Sequence, residues 1–254
     1  MSRTWLVLGA LIFRAAWAQA PSYTAADIVN ASDYSAGPFA PNSVVTIFGS
    51  NLSWYTAVPV PNKNVPAPTA VAGVSVYVNN IPAPLLYVSG PQVNFIVPSI
   101  IAAGDVTVRV VREGVTGPSI TETLVDAAPA LFDNTAGYAI ATHADGTLLT
   151  EAAPGRPGEI VVIYATGLGA TEPNADPGEV PQYAASIASL SSLSITLDGA
   201  VLPSYRIKYA GITPGCVGLY QLNVELPQDV GADPAIQVSV GTQASFGSPK
   251  IAVQ

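Results

Sequence analysis

Pro41-Asn42-Ser43-Val44-Val45-Thr46-Ile47-Phe48-Gly49-Ser50-Asn51-Leu52 returns later in the chain as Pro157-Gly158-Glu159-Ile160-Val161-Val162-Ile163-Tyr164-Ala165-Thr166-Gly167-Leu168. Two further blocks recur in the same order. Val74-Ser75-Val76-Tyr77-Val78-Asn79-Asn80 returns as Leu193-Ser194-Ile195-Thr196-Leu197-Asp198-Gly199, and Gln92-Val93-Asn94-Phe95-Ile96-Val97-Pro98 as Gln221-Leu222-Asn223-Val224-Glu225-Leu226-Pro227. The offsets are 116, 119 and 129, which places the insertions between blocks rather than inside them. A period of that size belongs to a whole domain and is too long for a solenoid repeat. The chain therefore reads as one domain written twice.

Inside the blocks the apolar period is two. Val74, Val76 and Val78 alternate with Ser75, Tyr77 and Asn79; Val106, Val108 and Val110 with Thr107 and Arg109; Ile236, Val238 and Val240 with Gln237 and Ser239. Successive side chains of a strand point to opposite faces, so this is the pattern of antiparallel strands with one wet face. Asn79-Asn80 and Asp198-Gly199 stand at equivalent places between such runs, where a two-residue hairpin needs positive φ. Asp145-Gly146 is expected to turn in the same way between Tyr138–His143 and Thr147–Thr150. Asn51 aligns with Gly167, and both residue types tolerate the left-handed region. No segment carries a convincing helical period, and Ala184–Leu193 offers one turn or a loop at most. The fold expected is all-β, two tandem immunoglobulin-like β-sandwiches covering residues 21–126 and 127–254.

The joint, Leu124-Val125-Asp126-Ala127-Ala128-Pro129-Ala130-Leu131-Phe132, is short and apolar. It predicts two sandwiches that abut, with restricted motion, rather than swing on a tether. Residues 1–20 read as a secretory signal: Arg3, an apolar stretch from Leu6 to Phe13, and Ala18-Gln19-Ala20 as a small-x-small cleavage site, with Ala16-Trp17-Ala18 as the alternative. That stretch is too short to span a bilayer. Removing it takes Arg3 and Arg14 away and moves the formal charge from −8 to −10. So acidic a chain has no electrostatic footprint for phosphate backbones or anionic lipid, so nucleic acid and membrane insertion after signal removal are not expected. Charged residues are 10% of the chain, leaving a neutral polar surface of the kind secreted β proteins carry. Cys216 is the single cysteine, so no intrachain disulfide exists; it lies in a Pro/Gly turn with no His beside it to activate a thiol.

The run from Ala128-Pro129-Ala130-Leu131-Phe132 through Ala139-Ile140-Ala141-Thr142-His143-Ala144-Asp145-Gly146-Thr147 and Arg156-Pro157-Gly158-Glu159, to Thr166-Gly167-Leu168-Gly169, resembles the C-terminal module of secreted proteins of Solibacter-type soil bacteria. Tyr209-Ala210-Gly211-Ile212-Thr213-Pro214-Gly215 and Gly218-Leu219-Tyr220-Gln221-Leu222-Asn223-Val224 complete that set. The first half, with Ile28-Val29-Asn30-Ala31 and Val44–Leu52, resembles an accompanying Ig-like domain, and more remotely both copies resemble IPT/TIG-type domains. The resemblance implies a secreted accessory module and supplies no catalytic or ligand residues.

Candidate chemistry is sparse. His143 is the only histidine; no Gly-x-Ser-x-Gly elbow accompanies it, and it sits at the mouth of the expected Asp145-Gly146 turn. Asp145, Asp176 and Asp198 each precede Gly or Pro, which is turn grammar rather than calcium-loop spacing. No cofactor, catalytic residue or metal site is expected. The amides of Gln92-Val93-Asn94 and Gln221-Leu222-Asn223 could bind sugar hydroxyls, but their repetition in both copies favours a structural role, satisfying backbone groups of loops or edge strands. Trp54-Tyr55, at the start of a Pro-rich loop (Val58–Pro68), is the candidate ligand-binding pair, because the second copy has no aromatics there and flat rings stack on sugars or dock a partner. Pro59, Pro61, Pro66 and Pro68 suggest that the loop needs an apolar anchor, so the expectation is that Trp54 and Tyr55 plug the sandwich and are buried. Exposed rings would instead favour a polysaccharide platform. The expected partner is a protein or polysaccharide outside the cell, met by a non-catalytic surface; Tyr183 is a weaker candidate contact.

Overall fold

The computed structural model describes residues 19–174 and 178–254. The expected leader, apart from Gln19 and Ala20, and the Asp176 turn lie outside the described residues. The strands of the first copy are β1 (Ile28–Asn30), β2 (Val44–Phe48), β3 (Val74–Val78), β4 (Ile81–Ala83), β5 (Leu85–Val88), β6 (Gln92–Ile96), β7 (Gly104–Arg112), β8 (Val115–Thr116) and β9 (Ile120–Leu124). Those of the second are β10 (Ala130–Leu131), β11 (Ala141–His143), β12 (Ile160–Thr166), β13 (Thr171–Glu172), β14 (Ala185–Ile187), β15 (Leu193–Leu197), β16 (Ala200–Val201), β17 (Ile207–Ile212), β18 (Tyr220–Glu225), β19 (Ile236–Val240) and β20 (Gln243–Ala244). In the first copy a sheet ordered β1-β2-β6-β5 faces one ordered β4-β3-β7-β8, with β9 also on β7. In the second, β10-β12-β18-β17-β14-β13, with β11 also on β12, faces β16-β15-β19-β20. Both are antiparallel Ig-like sandwiches, as the alternation requires.

The duplication holds to the single residue. Val45 pairs with Phe95, Thr46 with Asn94, and Ile47 with Val93; Val161 pairs with Val224, Val162 with Asn223, and Ile163 with Leu222. Val45 and Val161, Ile47 and Ile163, and Asn94 and Asn223 thus hold equivalent ladder positions. Both copies break register at the same place, between Leu85 and Tyr87 in β5 and between Ile207 and Tyr209 in β17. Asn79-Asn80 and Asp198-Gly199 close two-residue hairpins with φ of 48° and 65°, and of 49° and 79°, the twist that right-handed strands accept. Each turn is held alike: Asn79 Oδ1 accepts from Thr107 N at 2.8 Å and Asp198 Oδ1 from Ala235 N at 2.9 Å.

Inward residues of facing sheets make two cores, one around Val45, Ile47, Val76, Val93, Phe95 and Val108, the other around Val161, Ile163, Ile195, Leu222, Val224 and Val238. Each fully buried Val, Ile or Leu stabilises by about 1.5–3 kcal/mol relative to exposure. The two cores stay separate, and the copies touch through residues outside them. Val44 N–H, at the start of β2, donates to Thr166 Oγ1 at the end of β12 (2.9 Å), and Ala67 N–H donates to Gly178 O (2.6 Å). At Gly218 a Cβ would fall 3.0 Å from Ile96 Cδ1 and 3.1 Å from Val44 Cγ2, so the copies abut there closely enough to crowd a side chain.

Three local expectations need correction. His143 N–H reaches Thr147 O, so Ala144–Gly146 forms a three-residue loop in which Gly146 alone has positive φ; Asp145-Gly146 is no two-residue hairpin turn. Ala184–Leu193 contains strand β14 as well as a 3-10 turn, Leu190–Ser192, because pairing with β17 decides there and local propensity does not. The Gln-x-Asn amides lie on the central strands β6 and β18, and bond within each pair: Gln92 Nε2 donates to Asn94 Oδ1 and Gln221 Nε2 to Asn223 Oδ1, both at 2.9 Å. They are half-buried polar pairs, not braces for an edge or loop.

Candidate functional site

Loop 51–68 starts where β2 leaves the sheet. Asn51 takes φ 57°, as its counterpart Gly167 takes 72°, and the reversal drives Leu52 into the core, where it is fully buried. Ser53 Oγ accepts from Tyr55 N (3.2 Å) and donates to Tyr55 O (2.7 Å), fixing the Trp54–Tyr55 backbone as a tight local turn. Further along, Ala57 exchanges two backbone bonds with Val88 on the edge of β5, and Ala67 is buried.

These contacts anchor the loop, and they overturn the expectation of a buried plug. Trp54 is 50% and Tyr55 69% exposed. Leu52 and Ala67 supply the apolar anchor and the Ala57–Val88 pairing supplies the backbone one, so the two rings are released to the surface. Val58, Val60 and Val65 are exposed on the same loop.

The indole is nonetheless held. Its inner face lies on the guanidinium of Arg112, 3.9 Å from the carbon to the ring centroid, and its Nε1–H donates to Glu113 Oε2 at 2.9 Å. Arg112 is wholly buried at the end of β7; its Nη1 donates to Asn51 O and its Nη2 to Gln19 O. A cation desolvated against an aromatic face attracts it by about 2 kcal/mol. Trp54 is therefore a shelf fixed from behind, with its outer face turned to solvent. The pattern contained a signal for Arg112: Val106, Val108 and Val110 point inward, and two residues on the same parity falls on Arg112.

The single histidine lines an open groove of about 1000 Å³ with Asp145, Thr147, Glu151, Arg156, Glu159 and Gln254 among its walls. His143 Nδ1 lies 2.5 Å from Glu159 Oε1, and Nε2 lies 3.2 Å from Ala153 O. Both partners accept only, so the ring makes both bonds as an imidazolium. The Glu159 carboxylate raises the His143 pKa above its ordinary value, against a smaller opposing effect of burial. Glu159 Oε2 accepts from Arg156 N (3.0 Å), and Thr147 Oγ1 donates to Asp145 (2.7 Å). The histidine is thereby a clip between loops, with the groove's one side-chain hydroxyl engaged elsewhere. Tyr183 is strongly exposed, and Cys216 is free on the surface of its turn. Among the described residues no three His, Cys, Asp or Glu side chains group as metal ligands, and no helix is long and apolar enough to cross a membrane.

Residues 29–125 match the family model of the IPT/TIG domain. The match opens in β1 and closes just past β9. No curated protein matches the chain. Solved structures similar to it include the surface glycan-binding protein PbSGBP-B from Prevotella bryantii, at 15% identity and TM-score 0.27 over 92% of this chain and 41% of that one. SGBP-B of the Bacteroides ovatus mixed-linkage glucan utilization locus, in complex with a heptasaccharide, gives 9% identity and 0.34 over 85% and 42%. SGBP-B of a xyloglucan utilization locus in Bacteroides uniformis gives 11% and 0.27 over 92% and 50%. The chain spans half or less of the length of these proteins, and superpositions this loose carry nothing over to it.

Proposed function

We propose that the chain is an exported, non-catalytic pair of Ig-like units, residues up to 126 and 127–254, that works by surface contact outside the cell, in adhesion, envelope scaffolding or attachment to a larger exoprotein. The second unit is read as the Solibacter-type C-terminal module. The observation that supports contact as the mode of action is the Trp54 shelf. A large ring is held at the surface by a buried cation and a carboxylate, with Tyr55 beside it and Val58, Val60 and Val65 exposed on the same loop. An aromatic already fixed in place loses little conformational entropy on binding, which is what makes such residues dominate interfaces.

The same shelf favours a second, narrower reading, a carbohydrate-binding module. The apolar face of a pyranose packs on a flat ring, and Glu113 beside the indole is a ready acceptor for sugar hydroxyls. A polysaccharide array probed with the full chain separates the readings. Binding that is lost in Tyr55→Ala and weakened in Trp54→Phe, with melting unchanged in the first, supports the carbohydrate reading. An array without signal, together with a co-purifying exoprotein released by Tyr55→Ala, supports protein contact. If neither glycan nor protein partner responds to these two substitutions, the shelf is not the contact face and the proposal fails.

A further inference from the structure

A guanidinium carries five N–H donors and keeps its charge at any physiological pH. Buried without a carboxylate, it persists only if neutral acceptors surround it. Arg112 has two, the carbonyls of Asn51 and Gln19, with the indole of Trp54 over its face and Nε left unpartnered. One of these two acceptors is thus supplied by a residue that the small-x-small pattern Ala18-Gln19-Ala20 assigns to the leader.

The residues that follow are structural too. Pro21 and Tyr23 are buried. Ser22 and Ser50 exchange backbone bonds at 3.0 and 2.9 Å. Tyr23 Oη donates to Pro118 O at 2.6 Å and accepts from Val110 N at 2.7 Å. The backbone at Gly117 lies so close that a Cβ there would be 2.9 Å from the Tyr23 ring and 3.0 Å from Pro21. Cleavage after Ala20 would remove the Gln19 carbonyl, leave Nη2 of a buried cation without its acceptor, and place a new ammonium on buried Pro21. Cleavage after Ala18 has neither consequence.

We infer that the exported protein is cut between Ala18 and Gln19, the Ala16-Trp17-Ala18 site, and that its N-terminal residue is a structural ligand of Arg112. The inference rests on the export reading above. Cleavage is hydrolysis of the Ala18–Gln19 peptide bond: water adds across it, Ala18 leaves with the carboxylate and Gln19 with the ammonium.

The test is the N-terminal sequence and intact mass of the full chain exported from a Gram-negative host. The product should begin at Gln19. Ala20→Gln, which spoils only the site after Ala20, should leave it unchanged, whereas Ala16→Glu should abolish that product. A mature chain beginning at Pro21 overturns the inference while leaving export intact; a chain retaining Met1 overturns both. The ligand role is tested separately on chains produced to begin at Gln19 or at Pro21. The shorter chain should melt several degrees lower, and the gap should close when both carry Arg112→Met. Equal melting of the two parental chains overturns the ligand role.

Discussion

At the ladder position where the first copy buries Arg112, opposite Val74, the second buries Val240, opposite Leu193. Four positions into the loops, where the first copy carries Trp54, the second carries Ala170, since Asn51 and Gly167 are equivalent. The cation and the ring that covers it are thus present together in one copy and absent together in the other. The same holds at the opposite end of the sandwich, on the facing sheet. His143 faces Val161 as Asn30 faces Val45, and Glu159 stands where the first copy has Ser43. Asn30 Oδ1 accepts from Ser32 N and Oγ, a neutral local turn, where the second copy has an ion pair. The central ladders are equivalent and the ends are not. What distinguishes the copies sits on the frame in coupled pairs, because a buried charge or ring is tolerated only with its partner.

The largest effect should come from forcing the pairs apart. Val240→Arg puts a guanidinium into a core with no Trp54 or Gln19 carbonyl to receive it, and should exceed about 4 kcal/mol of destabilisation, enough to prevent folding of the second sandwich. A soluble variant melting near the parent would break the claim that Arg112 depends on its surroundings. Ile47→Ala and Ile163→Ala occupy one ladder position in two cores, and each should cost about 2–5 kcal/mol. Denaturant midpoints that fall for one and not the other would mean that the copies share a register but do not pack it equally. Trp54→Ala uncovers Arg112 and should cost about 2 kcal/mol, so lost binding in that variant reports stability as well as contact.

The next effect is one of pH. Because the native His143 pKa is raised, the clip's contribution is complete below about pH 6.5, the ordinary histidine value, and is lost as pH rises through the higher native value. The one histidine gives one Hε1 resonance, whose titration midpoint should lie above that ordinary value and fall in Glu159→Gln. An unshifted midpoint in the parent would remove the contrast with Asn30. The smallest effect is Tyr55→Ala, with its ring mostly in water, which should move stability by no more than about 0.5 kcal/mol. A larger loss by urea unfolding would mean that Tyr55, too, is structural.

Register, hairpin turns and both cores were legible because each is written locally. Alternation selects the face, Asn79-Asn80 and Asp198-Gly199 set the twist, and a recurring block repeats its partners. The fate of Trp54 and Tyr55 was not legible. Whether a loop ring is buried depends on where the chain finds its other anchors, and Ala57 meeting Val88 or Arg112 meeting Gln19 joins residues far apart in the chain. Arg112 lay within reach of the alternation, but a charged residue at the end of a valine run reads as the strand's exit until the residues that solvate it are seen. The three-residue loop at Ala144–Gly146 was missed for a related reason: Asp-Gly suits more than one turn, and the strand before it decides which.

The bond from Val44 N–H to Thr166 Oγ1 bears on how such a duplication can be undone. Cutting the copies apart would hand that amide to water and wet the surface at Ile96 and Val44 that crowds Gly218. Neither half can be lifted out of the chain without baring a surface that its neighbour now covers.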